Sequence, residues 1–144
     1  SEGGEYTITD EMKAQLGDFY GNFCSEDETA QAISDIYKNS NYVIDTHTGV
    51  ASAVYQQYKK NTGDETKTVI ASTASPYKFS RSVMEAISDE KLPEDEFAVI
   101  DELCRVSGVE IPKAVEEIRN AQIRHKLECD VQDMKKTVAK ILGI

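Results

Sequence analysis

The chain has three cysteines, three prolines and two histidines among its 144 residues. Cys24, Cys104 and Cys129 are odd in number, far apart and without CxxC spacing, so neither a disulfide framework nor a zinc site is indicated. Such thiols suit a reducing cytoplasm. No apolar run approaches the roughly 18 to 20 residues that a membrane span needs, so no membrane partner is expected. An initiating methionine and a charged-then-apolar leader are both missing, and the bare start reads as an artificial boundary. Neither GxGxxG nor GxxxxGK[ST] occurs, which leaves a nucleotide site with little support. His47 and His125 are too few for a wide choice of general base, and there is no Ser-His-Asp order or GxSxG elbow.

Positive charge is also scarce. Sixteen Lys and Arg stand against 26 Asp and Glu, for a net charge of −10. Within residues 1–30, Glu2, Glu5, Asp10, Glu11, Asp18, Glu26, Asp27 and Glu28 are opposed by Lys13 alone. That field repels phosphate backbones, so nucleic-acid binding is not expected and a solvated acidic face is the simpler reading.

What remains is enough for one domain. A chain of this length buries roughly 70% of its unfolded surface, and 40% of its residues are hydrophobic. Met12, Leu16, Phe19 and Tyr20 fall on the stripe of an amphipathic helix, capped by Thr9 or Asp10 and expected to dock onto something. Residues 1–8 ahead of it are expected to be flexible. Ser25-Glu26-Asp27-Glu28 reads as a capping box opening a second helix, with Ala30, Ile33, Ile36 and Tyr37 as its apolar face. A third helix follows Thr46 to Thr48, with Val50, Val54 and Tyr58 in one row, and Asn61-Thr62-Gly63 stops it.

The fold class expected is α/β, a helix-rich fragment with a few short, mainly parallel strands at about 42–44, 68–72 and 123–129. Thr68-Val69-Ile70-Ala71 is the β-branched run of a buried parallel strand. It feeds a helix capped by Ser75, with Pro76 first and Phe79, Val83 and Ile87 as the buried row. Phe97, Ile100, Leu103 and Cys104 mark another helix closed by Gly108, and a short one starts at Pro112. Ile123, Leu127 and Cys129 alternate with Arg124, Lys126 and Glu128, the pattern of a strand. Asp130 then caps a last helix carrying Met134, Val138, Ile141 and Leu142. No internal repeat or long linker divides residues 1–144.

Two junctions carry the chemistry. Ser72-Thr73-Ala74-Ser75 places small hydroxyl-bearing residues between an expected strand and a helix N-terminus, where orphan N–H groups favour an anion or a polar ligand edge. Ser75 reads first as a cap, while Ser72 and Thr73 suit a ligand contact or a plain turn equally. His47 sits beside Asp45, which could orient its ring and raise its pKa; a histidine that merely helps cap the helix is the competing reading. No carboxylate pair is assigned a catalytic role, and no metal ligand set is evident.

Tyr42-Val43-Ile44-Asp45-Thr46-His47-Thr48-Gly49-Val50-Ala51 and Ser72-Thr73-Ala74-Ser75-Pro76-Tyr77-Lys78-Phe79 together resemble the C-terminal part of threonine synthase, from about Thr9 to the end of the chain. The resemblance implies a fold-type II pyridoxal-phosphate enzyme of two α/β domains, which converts O-phospho-L-homoserine and water into L-threonine and phosphate in the cytoplasm. It implies that Thr73, with Ser72 as the neighbouring candidate, offers a neutral hydroxyl to the pyridine nitrogen of pyridoxal 5'-phosphate. It also implies that Asp45, Thr46, His47 and Thr48 border the same pocket. The segment with the Schiff-base lysine is absent. Tyr20-Gly21-Asn22-Phe23-Cys24 echoes the family's glycine-rich phosphate loop only superficially, lacking its second glycine and preceding three acidic residues. Residues 1–144 are therefore expected to be a single C-terminal fragment of the larger enzyme, partnered by its missing N-terminal part. Alone it should be inactive, without bound cofactor, and inclined to self-associate through exposed apolar surface. The alternative is an acidic protein-interaction module on the same scaffold, working without chemistry. A stand-alone phosphate-binding protein would need more basic residues than the 72–78 turn supplies.

Overall fold

The structure, a computed structural model, describes residues 4–144. Its elements are α1 (Asp10–Ala14), α2 (Glu26–Ser40), α3 (Thr46–Thr62), a 3-10 turn (Pro76–Phe79), α4 (Ser80–Ile87), α5 (Glu96–Ser107), α6 (Lys113–Arg119), a second 3-10 turn (Val131–Asp133) and α7 (Met134–Leu142). Two compact units result, one running up to Pro112 and the other Lys113–Ile144.

In the larger unit α2 packs on α3 and α4, and α4 packs on α5. The ends of these helices are set by their own residues. Ser25 and Glu28 form a reciprocal capping box at the start of α2, and Asp95 accepts from Ala98 N at 2.8 Å to open α5. Gly63 and Gly108 close α3 and α5 with φ of 70° and 66°, a left-handed conformation that costs glycine little. Ile33, Val83, Met84, Val99 and Leu103 are buried almost completely and, with Val43, Ile44, Tyr77 and Ile100, make the core. Arg81 ties the α4–α5 connection down through Glu96 Oε1 at 2.6 Å and the Pro93 carbonyl at 2.8 Å.

The α/β expectation is overturned, because the described residues form helices, turns and irregular segments and no strand. Residues 42–44 bury Val43 and Ile44 but are irregular and join no ladder. Residues 68–72 leave Val69 95% exposed, and residues 123–129 leave Ile123 and Leu127 exposed. A strand exists only when its N–H and C=O groups join a ladder, so β-branched or alternating sequence with no neighbouring strand stays irregular.

The expected buried rows also shift. α3 turns Thr48, Gly49 and Ser52 inward, while Val50 is exposed. A β-carbon on Gly49 would lie 3.0 Å from Ile33 Cγ1, so α2 and α3 approach too closely for larger side chains there. Ahead of α4, Phe79 has φ −135° and ψ 56°, which breaks the helical phase. Tyr77 and Ser80 consequently join Val83 and Met84 inside, while Phe79 is exposed.

The stripe on Met12, Leu16, Phe19 and Tyr20 does not form one helix. Only Asp10–Ala14 is helical, followed by a turn through Gly17, and all four apolar residues are exposed. Beyond it, Tyr20 meets Tyr58 of α3 edge-on at 5.0 Å and its hydroxyl accepts from Asn61 at 3.0 Å. Of the segment 1–8, residues 1–3 lie outside the described residues. Among the described residues no helix is long and apolar enough to cross a membrane.

In the unit Lys113–Ile144, α6, the second 3-10 turn and α7 bury none of their residues, and Met134, Val138, Ile141 and Leu142 are all exposed.

Candidate functional site

Asp45 is the N-cap of α3, with extended backbone (φ −78°, ψ 168°) and a side chain only 1% exposed. A buried carboxylate must be paired or hydrogen-bonded. Oδ2 accepts from His47 N and His47 Nδ1, both at 2.8 Å. Oδ1 accepts from Thr48 N at 3.3 Å and from the Thr48 hydroxyl. Burial pushes the Asp45 carboxyl up, but its hydrogen bonds to Thr48 and His47 outweigh this and hold it below the ordinary value. It is therefore an ionised acceptor at neutral pH.

That charge state settles two proton positions. An ionised carboxylate only accepts, so the proton on the inner ring nitrogen of His47 is on Nδ1, and Nε2 is the nitrogen left on the outer side. The His47 ring is about half exposed and tilts against Phe79 at 5.7 Å between centroids. Thr48 Oγ1 and Ser72 Oγ are 2.9 Å apart. Since Thr48 has one hydroxyl proton and it goes to Asp45, Ser72 is the donor in this pair.

The structure thus brings Asp45, His47, Thr48 and Ser72 into one hydrogen-bonded chain. Thr73 follows directly and is exposed, as is Ser72, whereas Thr46 is half-buried. Thr46 and His47 line a groove of about 360 Å³ together with Thr29, Val50, Phe79 and Ser82. Glu26 at its rim makes it a poor place for a free anion.

Below the 72–73 hydroxyls the chain is anchored by two devices. Ser75 accepts from Tyr77 N at 3.3 Å and caps the 3-10 turn that Pro76 begins. Tyr77 is buried and donates its hydroxyl to the Val109 carbonyl. Burial pushes that hydroxyl up to about 12, with Ser107 opposing and Cys104 adding to the shift, so it remains a donor. At the far end of α3, Asp64 accepts from Tyr58 Oη at 2.7 Å and Thr66 N at 2.8 Å. The Thr66 and Tyr58 hydrogen bonds lower its carboxyl to about 2.

The sequence shows Asp45 beside His47 but not Thr48 against Ser72, and the helical spacing that assigns Phe79 to the core gives way to its contact with His47. The first pair is two residues apart in a capped turn and so is visible locally. The second is separated by 24 residues and an entire helix, and two small hydroxyls carry no pattern that would join them.

Comparison with known proteins agrees with these motifs. The family described as "Threonine synthase, C-terminal" matches residues 48–138, which include Thr48, Ser72 and Thr73. Among curated proteins, the chain is 38% identical over 87 residues to the threonine synthase of Schizosaccharomyces pombe, covering 59% of this chain and 17% of that protein. It is 35% identical over 77 residues to human "Threonine synthase-like 1", covering 54% of this chain and 10% of that protein. The mouse protein of the same name is 36% identical over 75 residues, covering 52% of this chain and 10% of its own length. The chain thus spans less than a fifth of the length of the curated relatives it matches. No solved structure matches it significantly. With well over half of its residues, Thr48 and the Ser72–Thr73 junction among them, inside that one family match, the chain belongs to the threonine synthase C-terminal family.

Proposed function

We propose that the chain is the C-terminal part of a cytoplasmic, pyridoxal-phosphate-dependent threonine synthase, a carbon–oxygen lyase that converts O-phospho-L-homoserine and water into L-threonine and phosphate. The observation that carries this is the family match over residues 48–138, within which Thr48 and Ser72 meet at 2.9 Å.

The residues present suit one wall of such a cofactor site. An unprotonated pyridine nitrogen accepts a hydrogen bond, and the exposed Thr73 hydroxyl can donate one without bringing a charge. Asp45 is close in the network but buried and already bonded to His47 and Thr48, so it does not compete for the ring nitrogen. When bound, the cofactor supplies the electron sink for the carbanion chemistry. This chain contributes a neutral contact at Thr73 and, second to it, Ser72. Asp45, Thr46, His47 and Thr48 border the pocket, where the side chains of Thr46 and His47 steer the cofactor ring. No lysine here has the context of a Schiff-base lysine. The N-terminal part of the enzyme supplies that lysine and the phosphate cradle, and is this chain's partner.

Thr73→Ala in the complete enzyme is expected to change both cofactor absorbance and turnover; unchanged values for both would remove Thr73 from its proposed place. The isolated chain, given cofactor and O-phospho-L-homoserine, is expected to release no phosphate. Stoichiometric cofactor binding or turnover by the isolated chain would overturn its assignment as an incomplete part.

A further inference from the structure

We propose that Asp45 and Thr48 are positioning residues that hold the Ser72–Thr73 hydroxyl pair against the head of α3. The inference rests on the reading above for the purpose of that pair, but its structural part stands by itself.

Residues 67–74 form no regular structure among the described residues, Val69 is 95% exposed, and Ser72 and Thr73 are both exposed. Other hydrogen bonds nearby are local, such as Thr68 to the Thr66 carbonyl and Lys78 N to the Ser75 carbonyl. The 2.9 Å Ser72–Thr48 contact is the one hydrogen bond among the described residues that reaches from this segment to a distant element. The Ser75 and Tyr77 anchor holds the chain only on the far side of Thr73, so on the near side the hydroxyl pair takes its position from that contact. The other end of the tether is rigid. Thr48 is 7% exposed, donates to the 1% exposed Asp45 carboxylate, and precedes Gly49, whose close approach to Ile33 locks the head of α3 onto α2.

The polarity of the chain gives it a direction. Asp45 takes the Thr48 proton, Thr48 oxygen is thereby left as an acceptor, and Ser72 donates to it with its only hydroxyl proton. Ser72 is consequently committed to α3, and Thr73 is the residue free to donate outward. This orders the two candidates: Thr73 makes the ligand contact, and Ser72 fixes where Thr73 stands. His47 completes the arrangement by holding Oδ2, so that Oδ1 keeps facing Thr48.

The test uses two kinds of readout. In the 144-residue chain, backbone ¹⁵N relaxation is measured for Ser72→Ala, Thr48→Val and Thr48→Ser. Ser72→Ala, which leaves the Asp45 cap intact, is expected to lower the order parameters of residues 70–74 from the rigid range of about 0.85 toward about 0.6 while α3 is unchanged. Thr48→Val should reproduce this, and Thr48→Ser, which restores the hydroxyl, should match the parent chain. Equal order in residues 70–74 for the parent and Ser72→Ala would overturn the tether, and Ser72→Ala serves alone if Thr48→Val does not fold. In the complete enzyme, Thr48→Val is expected to weaken cofactor binding roughly tenfold and shift its absorbance, with Thr48→Ser near the parent. If Thr73→Ala changes the cofactor spectrum and Thr48→Val does not, positioning is refuted and the cofactor assignment survives. If Thr73→Ala changes nothing while the relaxation results hold, the assignment falls and the tether stands.

Discussion

The helices of residues 26–107 and those of 113–144 carry similar amphipathic patterns with opposite outcomes. Ile33, Met84, Val99 and Leu103 are buried almost completely, whereas Met134, Val138, Ile141 and Leu142 are all exposed. Helical spacing states which side chains share a face. It does not state what covers that face. The larger unit has a third and fourth helix to close over each stripe, and the smaller unit, with helices of seven and nine residues, has too little surface to do so within itself.

Substitutions can break or sharpen this contrast. Met84→Ala removes a fully buried side chain and is expected to cost about 3 kcal/mol in denaturant unfolding of the chain. A cost below about 1 kcal/mol would mean that the 26–107 core is not packed as described. Asp45→Ala removes the α3 cap and leaves Thr48 and His47 without their acceptor, for an expected loss of about 2 kcal/mol near neutral pH. Because the folded Asp45 pKa lies below its ordinary 3.8, the stability it contributes is present above that value and is lost as pH falls through the lower folded value. Asp45→Asn should accordingly flatten the stability profile below about pH 4.

Gly49→Ala sets the gain in helix propensity, about 1 kcal/mol, against a β-carbon only 3.0 Å from a fully buried Ile33. The net expectation is a loss of roughly 1 kcal/mol, and a stabilised variant would show that α2 and α3 can separate. Tyr77→Phe deletes one hydrogen bond to the Val109 carbonyl and is expected to cost about 1 kcal/mol. Leu142→Ala, on the exposed face of α7, should change stability by less than about 0.5 kcal/mol. A loss comparable to Met84→Ala would show that the α7 face is covered in solution.

The helix ends were the most legible part of this fold. The capping box at Ser25, Ser75 with Pro76, and the stops at Gly63 and Gly108 each depend on residues within one turn, and each stands where its spacing predicts. The segments at 42–44, 68–72 and 123–129 have the local character of strands but form none, because pairing is a property of distant residues. The buried row of α4 departs from its spacing for a different reason: a single non-helical residue, Phe79, resets the phase. At the candidate site, Asp45 and His47 are legible as near neighbours, but the closure of Ser72 onto Thr48 depends on the irregular segment after Gly63 returning along α3 to its head.

The three thiols are graded in their surroundings. Cys24 is half-buried with Sγ 3.3 Å from the Thr29 hydroxyl, Cys104 is half-buried next to Tyr77, and Cys129 is exposed in the smaller unit. A thiol-directed label therefore reacts first at residue 129 and more slowly at 24 and 104, faster there as their surroundings loosen. One reagent added in sequence can time the opening of each part of the chain separately, with no engineered reporter.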